Sequence, residues 1–206
     1  LLNPWTALAT LSLLVAIRFN DPSFVESIKL RYFDTIITQK APTQNNIYTV
    51  NIDEAALTKY GQWPFKRDVY ADIITDIYKR NAGLVVFNVM MPEPDRLGGD
   101  AALVQALAKN PTILTNLPST VTKNTPKVPG AAILNPEYLD TLIRYPGIIA
   151  NIPEIENKAV GVGTVNTLPE IDGVNRRTPM IITSNGKLYP SLPMEVLRVA
   201  ADDTTF

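Results

Sequence analysis

Along residues 47–95 the apolar positions change period twice. Residues 47–52 (IYTVNI) are β-branched and aromatic, and predict a strand. Over 67–80, Tyr70, Ile73, Ile74 and Ile77 recur at helical spacing and predict an amphipathic helix, stopped by residues 81–83. Residues 84–91 are almost continuously apolar, as in a parallel strand covered on both faces. Strand, helix and strand form a βαβ unit with an expected right-handed crossover. In open sheets of this kind, ligands lie beyond the carboxyl ends of the strands. Asp53 and Glu54 follow the first strand, Glu93 and Asp95 follow the second, and Asn88 interrupts the second near its end. All five are expected at that rim, and the intervening loop adds Trp63 and Arg67.

The same patterning extends both ways. Residues 5–17 are apolar apart from Thr and Ser. As a helix they reach roughly 20 Å, short of a hydrocarbon core of about 30 Å, and suit either the end of a membrane helix or a core helix. Residues 23–38 predict an amphipathic helix with Phe24, Ile28, Leu30, Phe33 and Ile37 as candidate buried positions. Asp100 is a plausible N-cap for a helix over 101–109, and residues 112–117 predict a third strand. Residues 118–130 predict an exposed loop; Asn135, Pro136 and Glu137 open a helix to about Arg144, and 148–153 a short extended piece. Residues 160–168 and 174–183 alternate around a turn at Asp172-Gly173, a second turn falls at 184–187, and Ser191 opens a last helix. The expected fold is α/β in three layers: a mostly parallel central sheet with a βαβαβ core, an antiparallel C-terminal edge, and N-terminal helices.

Composition narrows the chemistry. The net charge is −1 and there is no basic run, so no nucleic-acid partner is expected. Without Cys there are no disulfides or thiolate metal sites, and without His there is no Ser-His-Asp or Cys-His catalysis. A metal would need oxygen ligands. The P-loop and dinucleotide fingerprints are both missing. Asp53-Glu54 could hold magnesium or act in phosphate transfer, although Ala55 stands where such hydrolases place a second aspartate; the other reading is that Asp53 caps the following turn or helix. Trp63 and Arg67 could frame a pocket for an anionic ligand, or serve as a lid on the core and a partner for a rim carboxylate. Glu93, Asp95 and Asp100 form an acidic cluster whose spacing matches no EF-hand. Arg176-Arg177 could bind an anion, or supply one buried ion-pair partner. No catalytic residue, metal ligand or cofactor is assigned.

Several short motifs together resemble a known family. They are LRYFD at 30–34, VNIDE at 50–54, GQWP at 61–64 followed by Arg67, VFNV at 86–89, PEPD at 92–95, DGVNRR at 172–177 and YPSL at 189–192. In this combination the chain resembles the second type of CHASE domain, an extracytoplasmic sensory module of bacterial cyclases and kinases. The resemblance implies an N-terminal membrane helix, with residues 1–20 as the end of a membrane-spanning or membrane-proximal helix, and a single sensory domain over 21–206 on the periplasmic side. It implies a fragment of a longer receptor, with a cytoplasmic adenylate or guanylate cyclase, histidine kinase, protein kinase or diguanylate-signalling output. An unidentified small-molecule or protein signal and a homodimer are the expected partners. The family usually carries aspartate where this chain has Asn88. The candidate ligand site is Asp53, Glu54, Trp63, Arg67, Asn88, Glu93 and Asp95. The competing expectations are a magnesium-dependent hydrolase using Asp53 and Glu54, and a purely structural dimerisation module.

Overall fold

The computed structural model describes residues 3–37, 46–128, 130, 136–166 and 168–205, with the side chains of residues 136 and 138 left aside. The chain divides into two compact units. One is Leu1–Asn51 with Leu168–Arg176, the other Ile52–Thr167 with Arg177–Phe206.

In the first unit, α1 (Pro4–Asn20) starts on Asn3, whose side chain accepts from the Trp5 backbone N–H, and has Pro at its first position. It ends at Asp21 in the left-handed region and buries no residue. Helix α2 (Ser23–Ile37) follows at a bend of 81°. Lys29 ties the corner by pairing with Asp21 and Glu26. Among the described residues no single helix is long and apolar enough to cross a membrane, although α1 and α2 pass that test as a bent pair. Of the five positions expected to be buried in α2, only Leu30 is, and Phe33 is half-buried. Phe24, Ile28 and Ile37 are exposed. For Phe24 and Ile28 the reason is geometric: at 3.6 residues per turn they lie on a different face from 30 and 33. Ile37 shares the face of Leu30 but is the last residue of the helix. Residues 47–52 form no strand, and Ile47, Tyr48 and Val50 are exposed. β-propensity is expressed against a ladder partner and a face to bury, and this segment has neither.

The second unit is mixed α/β. Its elements are α3 (Glu54–Tyr60), α4 (Arg67–Lys79), β1 (Val85–Phe87), α5 (Asp100–Lys109), β2 (Thr112–Ser119), a 3-10 turn (Pro136–Thr141), β3 (Arg144–Tyr145), β4 (Gly147–Ile149), α6 (Pro153–Glu156), β5 (Gly161–Thr164), β6 (Ile181–Ser184), β7 (Lys187–Pro190) and α7 (Leu192–Ala200). Strand β2 is the hub. It pairs in parallel with β1 (Leu114 beside Phe87) and with β5 (Leu114 beside Val162), then antiparallel with β4 from Leu117. A second sheet sets β6 between parallel β3 and antiparallel β7. The C-terminal hairpin therefore builds its own sheet instead of extending the edge of the first. Its turn has Asn185 and Gly186 at φ 50° and 72°, the two positive values that suit a twisted hairpin. The turn at Asp172-Gly173 also forms, but the strands that flank it, β5 and β6, do not pair with each other.

The core gathers Tyr70 and Ile74 of α4, Leu103 and Leu107 of α5, and Ile155 of α6 over Phe87, Leu114 and Val162. Alternate residues of β5 point the other way, as a strand requires. There a Cβ on Gly163 would overlap the backbone of Leu192, and one on Gly161 would strike Glu195, so both glycines let α7 lie against β5. Three boundaries differ from expectation. The strand over 84–91 shortens to β1. Gly99, not Asp100, caps α5, because the Asp100 carboxylate is committed elsewhere. The helix expected from 136 is a 3-10 turn that gives way to β3, and Asn135 lies outside the described residues.

Candidate functional site

Asp53 caps α3: its Oδ1 accepts from the Ala56 N–H at 3.0 Å. Glu54 follows in the first turn and is exposed. Past α3, the loop through Trp63 and Phe65 is held by rings. Trp63 stands edge-on to Phe65 at 5.5 Å and lies 5.8 Å from Tyr70, whose ring in turn meets Phe87 of β1 at 5.4 Å. The Tyr70 hydroxyl accepts from the Phe65 N–H at 3.1 Å, which fixes the loop to α4. Burial pushes the Tyr70 phenol up.

Arg67 opens α4 and is buried. Its guanidinium donates to the Asp100 carboxylate and to the Glu93 carbonyl. Its backbone N–H donates to Asp95 Oδ2 at 2.8 Å, and the Asp95 N–H donates to Asp100 Oδ2 at 3.0 Å. The start of α4, the segment after β1 and the start of α5 are thereby closed into one ring. The Glu93 side chain points outward to Lys123 Nζ at 2.5 Å, which holds its carboxyl below the usual range. Trp63, Arg67, Glu93 and Asp95 therefore gather around the first turn of α4. Among the described residues no hydrogen bond or ion pair joins Asp53, Glu54 or Asn88 to that group, and Asn88 is exposed just past β1. No cluster of three or more acidic side chains has a metal-holding arrangement among the described residues. A cleft of about 380 Å³ runs beside α4 between Tyr60, Asp72, Asp76 and Lys79, and none of the seven candidates lines it.

Two arrangements join residues far apart in sequence. The first is a buried network in the second unit. Asn151 Oδ1 accepts from Met91 N–H at 2.8 Å, and its Nδ2 donates to Thr115 O at 3.0 Å and to Glu156 Oε2 at 2.7 Å. Glu156 Oε1 also accepts from the Lys127 N–H at 3.1 Å. The second lies in the first unit. Arg176, its side chain 6 % exposed, grips both oxygens of Asp34 at 2.7 and 2.8 Å and both of Asp172 at 2.9 and 2.7 Å, with Glu170 at 3.5 Å. The alternative of a buried ion-pair partner within Arg176-Arg177 is thus the observed one for Arg176. The clasp joins the LRYFD motif at 30–34 to the DGVNRR motif at 172–177.

Arg176 beside Asp172 holds its carboxyl down to about 2, helped by the Val174 N–H. A carboxyl depressed when folded stabilises the folded state above the ordinary aspartate value, and that contribution is lost as pH falls toward the folded value. The expected result is that the Asp172 carboxyl carbon titrates by NMR with a midpoint of about 2. A midpoint at the ordinary value in the native protein would mean the clasp is open in solution.

Residues 8–205, nearly the whole chain, match the family model described as the CHASE2 domain. No curated protein and no solved structure matches the chain.

Proposed function

We propose that this chain, which belongs to the CHASE2 family, is the signal-input domain of a membrane-anchored bacterial receptor with a cyclase or kinase output. CHASE2 domains are extracytoplasmic sensory domains, not catalytic ones. That membership is the observation that carries the reading. Helix α1 supports the anchoring: it is almost wholly apolar and buries nothing, so lipid is its natural solvent. In this reading the domain is periplasmic and the receptor a homodimer. The scaffold is three-layered, with α4 and α5 on one face of the parallel strands and α7 on the other. An unidentified small molecule or protein binds one conformation better than another and shifts the population. Asp53, Glu54, Trp63, Arg67, Asn88, Glu93 and Asp95 are the proposed ligand rim. Of the four that gather around the first turn of α4, Trp63 is partly exposed and Glu93 points outward to Lys123, whereas Arg67 holds the rim together from beneath.

Thermal unfolding against a broad panel of metabolites and divalent cations tests this. At least one ligand is expected to raise Tm by mass action, by about 2.7 kcal/mol of stabilisation at a hundredfold excess over Kd. Glu93→Ala, which removes only an exposed ion pair, is expected to weaken that shift while leaving the unliganded Tm close to the parent's. Trp63→Ala is expected to weaken the shift and also lower the unliganded Tm, because the indole packs on Phe65 and Tyr70. A panel that moves nothing would favour a purely structural module. Phosphoester turnover with magnesium that disappears in Asp53→Ala, with the fold intact, would favour a hydrolase.

A further inference from the structure

Helix α2 has two unlike faces. Leu30, Phe33 and Asp34 lie on the side that carries the Arg176 clasp. On the other side Phe24, Ile28, Tyr32 and Ile36 are all exposed. Positions four apart advance by only about 40° per step, so the four form one continuous ridge about 120° wide. Lys29 borders the ridge on one side and Arg31 on the other, both exposed. An apolar ridge with charged margins is the composition of a protein interface, while a helix that spans lipid is apolar on nearly every side, as α1 is apart from Thr, Ser and its last turn.

We propose that this ridge is the homodimer contact, with α2 of a second copy packed against it side by side and antiparallel. This rests on the homodimer reading given above. The size is adequate: at 53–69 % exposure, two aromatic and two isoleucine side chains present on the order of 500 Å², and a symmetric pair buries roughly 1,000 Å², where specific interfaces begin. The direction follows from the corner. With α1 along the membrane normal, the 81° bend lays α2 nearly in the membrane plane. Two copies in one membrane are related by a two-fold along that normal, and such an axis turns an in-plane helix antiparallel to itself. With the axis midway along the ridge, Ile28 meets Tyr32 of the second copy, and Phe24 meets Ile36. Each contact then sets an aromatic ring against an aliphatic side chain.

The chain contains no cysteine, so single introduced thiols report cleanly from this domain. The experiment uses the full-length receptor in membranes, with any cysteine elsewhere in it replaced. Ile28→Cys and Tyr32→Cys, nearest the axis, are expected to form disulfide-linked dimers many-fold faster than Phe24→Cys and Ile36→Cys. Ser23→Cys and Ile37→Cys, on the clasp side, set the background. Equal cross-linking at all four ridge positions would overturn the antiparallel arrangement. Ridge cross-linking no faster than background, in a receptor that native mass measurement shows to be dimeric, would overturn this surface and leave the homodimer standing. A monomeric mass would overturn both.

Discussion

Replacing Arg67 by methionine is expected to lower the unfolding free energy by about 3 kcal/mol, whether or not a ligand is present. Methionine keeps most of the aliphatic volume, so the loss reads the guanidinium and not a cavity. Without it the Glu93 carbonyl and the Asp100 carboxylate each lose a charged donor, while Asp95 keeps its bonds from the backbone N–H groups of residue 67 and Leu97. Asp100 retains some access to water, which keeps the cost near the lower end for a broken buried pair. Arg67→Lys should recover less than half of it. An ammonium reaches either oxygen but lacks the planar fork that reaches two acceptors at once. Urea unfolding of the three proteins decides. A methionine variant as stable as the parent, but blind to a ligand the parent binds, would make Arg67 a ligand contact first and a strut second.

Arg67 also shows how the sequence could be read and where it could not. The sequence pattern puts the GQWP motif, Arg67 and the acids after β1 at one rim. The structure brings Trp63, Arg67, Glu93 and Asp95 together there, because α4 starts where the segment after β1 passes. Helical period identified α4 and α5 to within a residue or two, since both bury one face against a sheet. It identifies α2 equally well but not its buried face, because apolar residues occupy two faces and only one is buried. It also took residues 47–52 as a strand. Propensity can state that a segment would suit a ladder, but it cannot supply the neighbour. Likewise the Asp-Gly and Asn-Gly turns were readable at 172–173 and 185–186, yet only the second joins paired strands, because pairing is chosen by long-range contacts. The clasp at Arg176 and the network at Glu156 depend on partners distant in sequence, such as Asp34 and Lys127, so no local spacing announces them.

The Glu156 network gives the other large effect. Glu156→Ala is expected to cost roughly 3–5 kcal/mol: it removes the acceptor for three N–H groups, the Asn151 side-chain amide, the Asn151 backbone and the Lys127 backbone, and leaves a buried cavity. Glu156→Gln is expected to cost less, about 1–3 kcal/mol, because one amide oxygen still accepts while the amide nitrogen faces another donor. The two variants differ further in how pH acts. Burial pushes the Glu156 carboxyl up, against the opposing pull of Asn151, the Lys127 N–H and the Lys127 charge. An acid whose folded value lies above its unfolded value binds its proton more tightly when folded. Its contribution to stability is therefore full below the unfolded value and is lost as pH rises through the folded one. Glutamine has no proton to lose. The stability gap between the parent and Glu156→Gln should thus narrow as pH rises from about 4 toward about 8, measured by urea unfolding at each pH. A gap that widens over that range would show that the three N–H groups outweigh burial and hold Glu156 as an anion. In that case Asn151 and Lys127 act as an anion cradle within the core, and the Gln variant should be the less stable one by most at neutral pH.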